Sequence, residues 1–62
     1  MKRRDLLARL HDEGCVLVRT VGRHDFYRNV ITGELRPVPR HREINEITAR
    51  AIIRALASPE QN

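Results

Sequence analysis

The chain has few of the devices by which a short sequence secures itself. Cys15 is its single cysteine, so an internal disulfide is excluded. No CxxC or HxxxH spacing occurs, which removes the usual ligand sets of a tetrahedral zinc site. Tryptophan is missing, and Phe26 and Tyr27 are the whole aromatic complement. The longest apolar run, Cys15 to Val18, is four residues, whereas a membrane-spanning helix needs about 20. No membrane attachment is expected. Lys2-Arg3-Arg4 begins like a signal peptide, yet no apolar h-region follows it. The cytosol is the expected compartment, where a lone reduced thiol is ordinary. GxxxxGK[ST] and GxGxxG are both absent, and no motif surrounds a serine nucleophile. Neither a metal nor an organic cofactor is expected.

Sixty-two residues make one domain. A chain of this length buries only about 60% of the surface its unfolded form exposes, and its core yields a few kcal/mol at most. With disulfide and zinc excluded, self-association or a protein partner is the expected source of extra stability.

Charge is abundant. Twelve Lys/Arg stand against eight Asp/Glu, a net charge of +4, and all the cations except Lys2 are arginine. The guanidinium fork matches phosphate oxygens in a bidentate way that an ammonium does not. A basic domain of this size suits nucleic acid, although a charged surface also serves solubility.

Leu6, Leu7 and Leu10 lie on one helical stripe, which predicts a helix over about 3–13, with Asp5 near its positive end and Gly14 ending it. Cys15 to Val21 is β-branched and predicts a strand. Gly22 breaks it, and His24 to Arg28 predicts a second strand across a tight hairpin. Thr32-Gly33 marks another turn, and Leu35 to Val38 predicts a third strand. Pro37 and Pro39 cannot donate to a ladder, which puts that strand at a sheet edge. Asn45 is the expected N-cap of a second helix, in which Ala49, Ile52, Ile53 and Leu56 follow i, i+3, i+4, i+7. Ser58-Pro59 stops it, and 58–62 is expected to be a loose tail. The fold class is therefore α+β, ordered α-β-β-β-α: a three-stranded antiparallel sheet with two helices on one face. The other face is left for a ligand.

Three histidines are candidates for chemistry. His11 stands among acids late in the first helix and suits a helix C-terminus. His41, between Arg40 and Arg42, either touches phosphate or stays solvated. His24 follows Gly22-Arg23 on a turn that fixes its direction, and Arg19, Arg23 and Arg28 surround it in sequence. Glycine at 22 lets a ligand approach the backbone. RNA supplies its own nucleophile, the ribose 2′-OH, so an enzyme need only move protons and stabilise phosphorane charge. An imidazole ordinarily titrates near 6.5 and populates both forms at neutral pH. Arginines add the electrostatic part. Tyr27 either stacks on a base or hydrogen-bonds a phosphate, or is a core residue with a wet tip. Cys15, inside an apolar run, reads as buried rather than activated. Helix–turn–helix reading of DNA fits poorly, because the whole sheet separates the two helices.

Several of these residues together resemble the HicA toxins, small mRNA interferases of type II toxin–antitoxin systems. The likeness rests on Met1-Lys2-Arg3-Arg4-Asp5-Leu6-Leu7, Gly14, Leu17-Val18-Arg19, Gly22-x-His24, and Pro39-Arg40-His41-Arg42-Glu43-Ile44 with Thr48. It spans residues 1–57, taken as one HicA-like domain. It implies a fold similar to the double-stranded RNA-binding domain and metal-independent endoribonuclease action on mRNA. The histidine of the G-x-H motif, which falls on His24, would be the catalytic acid/base. It also implies a HicB-like antitoxin that covers the active face, with DNA contacted only indirectly through that antitoxin. Arg23 departs from the Ser, Thr or Lys common before the family histidine and adds charge there. Asn29-Val30-Ile31 stands where His-Pro is common and offers aliphatic residues to an antitoxin. From the residues alone two alternatives stay open: a non-catalytic RNA-binding module, and a subunit whose basic face only docks an acidic partner. The candidate site comprises His24, supported by Gly22, with Arg19, Arg23, Arg28, Tyr27, Arg40 and His41 as RNA or phosphate contacts.

Overall fold

The computed structural model describes residues 1–58. Arg3–Asp12 forms α1, Cys15–Val21 β1, His24–Asn29 β2, Leu35–Pro39 β3 and Glu46–Leu56 α2. The strands lie in the order β1-β2-β3, each pair antiparallel. This is the expected small α+β arrangement, consistent with a double-stranded RNA-binding-domain-like fold.

Local chemistry explains the ends of the elements. In α1, Leu6 and Leu10 are fully buried one turn apart. Glu13, expected as the last helical residue, is instead the C-cap. Gly14 follows at φ 91°, its N–H donating to His11 O at 3.0 Å. Only a glycine holds that backbone without strain, and a Cβ there would also stand 3.3 Å from Ile31 Cδ1. At the start of α2, Asn45 caps as expected: its Oδ1 accepts from Ile47 N at 2.8 Å and Thr48 N at 3.4 Å. The helix buries Ala49, Ile52 and Leu56, with Ile53 packed beside them.

β2 and β3 each run one residue beyond expectation, to Asn29 and Pro39. β3 is an edge strand, as its prolines require. Arg40 N–H donates across to Arg23 O at 3.3 Å, and Pro37 and Pro39 pair with Phe26 and His24. Since N–H groups alternate sides along a strand, both prolines take positions whose missing donors would have faced outward.

One core joins the two helices to one face of the sheet. Leu6, Leu10, Ile44, Ala49, Ile52 and Leu56 meet Cys15 of β1 and Val38 of β3. The register aligns Cys15 with Asn29 and Val38 with Asp25, so Asp25, Tyr27 and Asn29 of β2 face the helices. His24, Phe26 and Arg28 face the other way.

A bulge in β1 decides which of its residues join them. Leu17 pairs with Tyr27 but Arg19 with Phe26, leaving Val18 as the extra residue. Unbroken alternation from buried Cys15 would turn Arg19 toward the helices. The bulge reverses the phase and puts Arg19 on the open face with His24, and Thr20 on the helix face with Asp25.

Asn29 is fully buried and satisfied on every side. Its Nδ2 donates to Leu56 O at 2.8 Å and Glu13 O at 3.1 Å, while its Oδ1 accepts from Ile31 N and Thr32 N. It thereby ties both helix C-termini to the loop that exposes Val30 and Ile31. Ser58 belongs to the same knot rather than to a loose tail: its N–H donates to Glu13 Oε1 and its hydroxyl to Glu13 O, at 2.8 and 2.7 Å. With Asn29, the Ser58 hydroxyl thus satisfies carbonyls at the two helix C-termini, Glu13 O and Leu56 O, that would otherwise lack intrahelical partners. The rest of the expected tail, 59–62, lies outside the described residues.

Candidate nucleic-acid interface

The tight turn expected between β1 and β2 is present. Val21 pairs with His24 across a two-residue loop, Gly22-Arg23. Gly22 has φ 60° and Arg23 a negative φ, the signature of a hairpin turn with glycine first. That turn sets the direction in which β2 leaves, and His24 is its first residue. His24 is exposed, on the face the helices leave open. Beside it on β1 is Val21, and diagonally across is Arg19, whose guanidinium carbon lies 4.9 Å from the Phe26 ring centroid. This cation–π contact holds the charge flat against the sheet. Arg28, exposed, shares the face two pairs further along.

His24 also borders the outer edge of β3. There Pro37, Pro39, Ile47, Ala51 and Ile52 wall an apolar groove that His24 and Arg36 close. Around the turn, a cleft is lined by Gly22, Arg23, Arg40 and His41. Expected contacts Arg23, Arg40 and His41 therefore come together beside His24, and Arg19 and Arg28 lie along its face. Tyr27 does not join them. It sits on the opposite face, partly buried against the core, as the second reading of that residue expected.

The residue next to His24 is the one that sequence reasoning passed over. Asp25 is buried, only 7% exposed. It accepts from Thr20 Oγ1 at 2.7 Å and from Arg3 Nη2 at 2.6 Å, with Arg40 Nε 3.7 Å away. The Thr20 hydroxyl first, then the Arg40 and Arg3 guanidinium groups, hold its carboxyl below the usual carboxylate value against the opposing effect of burial. Arg3 also donates to Pro39 O at 2.9 Å. One carboxylate thus fixes α1, β1 and the end of β3 around the first residues of β2. An acid in a strand whose alternate residues are Tyr27 and Asn29 gave no apolar stripe to read. Its phase with Tyr27 carried no signal either, because the sequence leaves open which face Tyr27 takes.

A second cluster lies at the N-terminus. The Met1 α-amino group bonds Ile44 O at 2.9 Å and pairs with Glu46 at 3.0 Å and Glu43 at 3.2 Å. Bonding to Glu46 and then Glu43 raises its pKa above 8.0. The Cys15 thiol, buried, bonds Leu56 O at 3.5 Å, and burial pushes its pKa up. It is a packing residue, not a nucleophile.

Among the described residues, no three His, Cys, Asp or Glu side chains stand close enough to hold a metal ion, and no helix is long and apolar enough to cross a membrane. A family model described as HicA toxin of bacterial toxin–antitoxin matches residues 3–57. The chain belongs to the HicA toxin family. It is accordingly a toxin of a toxin–antitoxin system, a class whose partner is an antitoxin. No curated protein and no solved structure matches it. In this HicA chain the matched stretch takes in both helices, the whole sheet, and every residue of the candidate site.

Proposed function

We propose that this HicA chain is an endoribonuclease that cuts mRNA, with His24 as general acid/base, and that a HicB-like antitoxin neutralises it. The observation that carries the reading is the placement of His24: exposed at the head of β2, on the open face with Arg19, beside a turn cleft that holds Arg23, Arg40 and His41. Cytoplasmic residence follows from an mRNA substrate, and residues 1–57 act as the single functional domain.

In this reading the 2′-oxygen of a ribose attacks the adjacent phosphorus. The P–O2′ bond forms and the P–O5′ bond breaks, leaving a cyclic phosphate and a free 5′-hydroxyl. One proton must leave the 2′-oxygen and one must reach the 5′-oxygen. His24 carries one of these transfers, worth on the order of 10² to 10⁴ in rate. The arginines oppose the charge that builds on the phosphorane, and no step needs a metal. The apolar groove beside His24 offers Pro37, Pro39 and Ile47 to a nucleobase. Exposed Val16, Val18 and Val21 on β1, with Val30 and Ile31, offer the antitoxin an apolar surface that the isolated chain leaves wet.

The test is His24→Ala, incubated with RNA beside the unaltered protein. Loss of cleavage with an unchanged melting curve supports the assignment; cleavage at the unaltered rate refutes it. An unaltered protein that binds RNA yet leaves it whole would favour a binding module instead.

A further inference from the structure

We propose that Lys2, Arg4 and Arg42, together with Arg40, form a second phosphate-binding cleft that guides single-stranded RNA toward His24. This rests on the nuclease reading above and adds a path for the substrate. The cleft encloses about 540 Å³ between the start of α1 and the segment leading into α2, and its lining is Lys2, Arg3, Arg4, Leu7, Arg40, Arg42 and Glu43.

Its charges are only partly matched from within. Arg3 is engaged by Asp25 at 2.6 Å, and Glu43, the one acid in the wall, is engaged by the Met1 amine at 3.2 Å. Arg4 reaches Asp5 only at 4.0 Å, both exposed, and Arg40 reaches Asp25 only at 3.7 Å. Lys2 and Arg42 have no acidic partner among the described residues. Gathering five cations in one concavity with fewer acids in reach is unfavourable for the isolated chain and favours an incoming anion.

Two connections link the cleft to His24. Arg40 lines both this cleft and the turn cleft with Arg23 and His41. Arg3, in its wall, donates to the carbonyl of Pro39, the register partner of His24. The two clefts therefore form one cationic course that passes the head of β2. A chain of regularly spaced phosphates fits such a course better than a protein segment does. Leu7 is the only apolar side chain in the wall, and protein interfaces need an apolar centre.

The test compares the double variant Lys2→Ser/Arg42→Gln with Arg54→Gln, which alters an exposed cation on α2 outside all three clefts. Binding of an all-2′-O-methyl single-stranded RNA, which cannot be cut, is measured against salt. The double variant should bind on the order of tenfold more weakly, with a salt slope shallower by about 0.7 for each phosphate that no longer meets a cation. Arg54→Gln should stay within about twofold, since it leaves that course intact. On cleavable RNA, the double variant's loss in kcat/KM should sit in KM and be smaller on a dinucleotide. Unchanged affinity and slope would overturn the proposal, as would equal losses on both RNA lengths. So would weakened antitoxin binding with RNA affinity intact. If the double variant does not fold, exposed Arg4→Gln replaces it. A chain that binds RNA in this manner but cuts none would refute the nuclease reading and leave the cleft standing.

Discussion

Arg3 of α1 donates to the carboxylate of Asp25 at 2.6 Å, and Asp25 directly follows His24. The first turn of the first helix is thereby locked to the strand that begins with the proposed catalytic residue. Thr20 completes the lock from β1 at 2.7 Å. A carboxylate hydrogen-bonded from two elements, with the Arg40 guanidinium 3.7 Å away, fixes the backbone of its neighbour more firmly than exposed strand pairing alone.

Asp25→Asn should lower Tm and loosen the head of β2. An amide keeps an acceptor for Thr20 but loses the charge that holds Arg3 and Arg40. Faster amide hydrogen exchange at 24–26 would report it. An unchanged Tm would mean that the Arg3 contact contributes nothing.

The acid limb of stability should carry the same signature. The folded-state pKa of Asp25 lies below its unfolded value of 3.8. Its contribution is thus fully present above that value and is lost as pH falls through the lower folded value. Chemical denaturation from pH 5 down to 2 should show a steeper loss for the unaltered protein than for Asp25→Asn.

At alkaline pH the sign reverses. The Met1 amine is raised above 8.0 by Glu46 and Glu43. Its contribution is complete below 8.0 and is lost as pH rises through the folded value. Acetylation of the amine should remove that dependence, read as flatter stability between pH 8 and 10.

Asn29→Ala should destabilise the fold by about 1–3 kcal/mol, because it takes the Nδ2 donor from Leu56 O and Glu13 O and the side-chain acceptor from Ile31 N and Thr32 N at once. For a domain with only a few kcal/mol in hand, that is enough to populate the unfolded state. A urea titration checks it, and Asn29→Asp tests whether shape without the amide donor suffices.

Gly22→Ala should cost about 1 kcal/mol through its φ of 60°, with no steric clash to add to it. If the turn aims His24, RNA cleavage should fall further than stability does. Equal activity per folded molecule would separate turn geometry from catalysis.

The candidate site was only partly legible beforehand. Gly22 and His24 could be read because a two-residue turn between strands is a local signal. Tyr27 could not be placed, since the side it takes depends on which face of β2 the helices cover. Asp25 and Asn29 were hidden for the opposite reason. Buried polar residues mimic a solvent face in sequence until their partners, distant along the chain, are known.

The sequence by itself determined the order α-β-β-β-α, the Asn45 cap, the Gly14 stop, the edge position of the proline strand and the apolar stripes of both helices. Each of these is settled within a few residues by backbone conformation or periodicity. Tertiary structure alone decided that Val18 bulges, so that Arg19 joins His24 while Thr20 turns inward to Asp25. It alone gathered Lys2, Arg40 and Arg42 into one cleft. Register and helix docking are set by packing across the whole core, and no local stretch of chain carries that information.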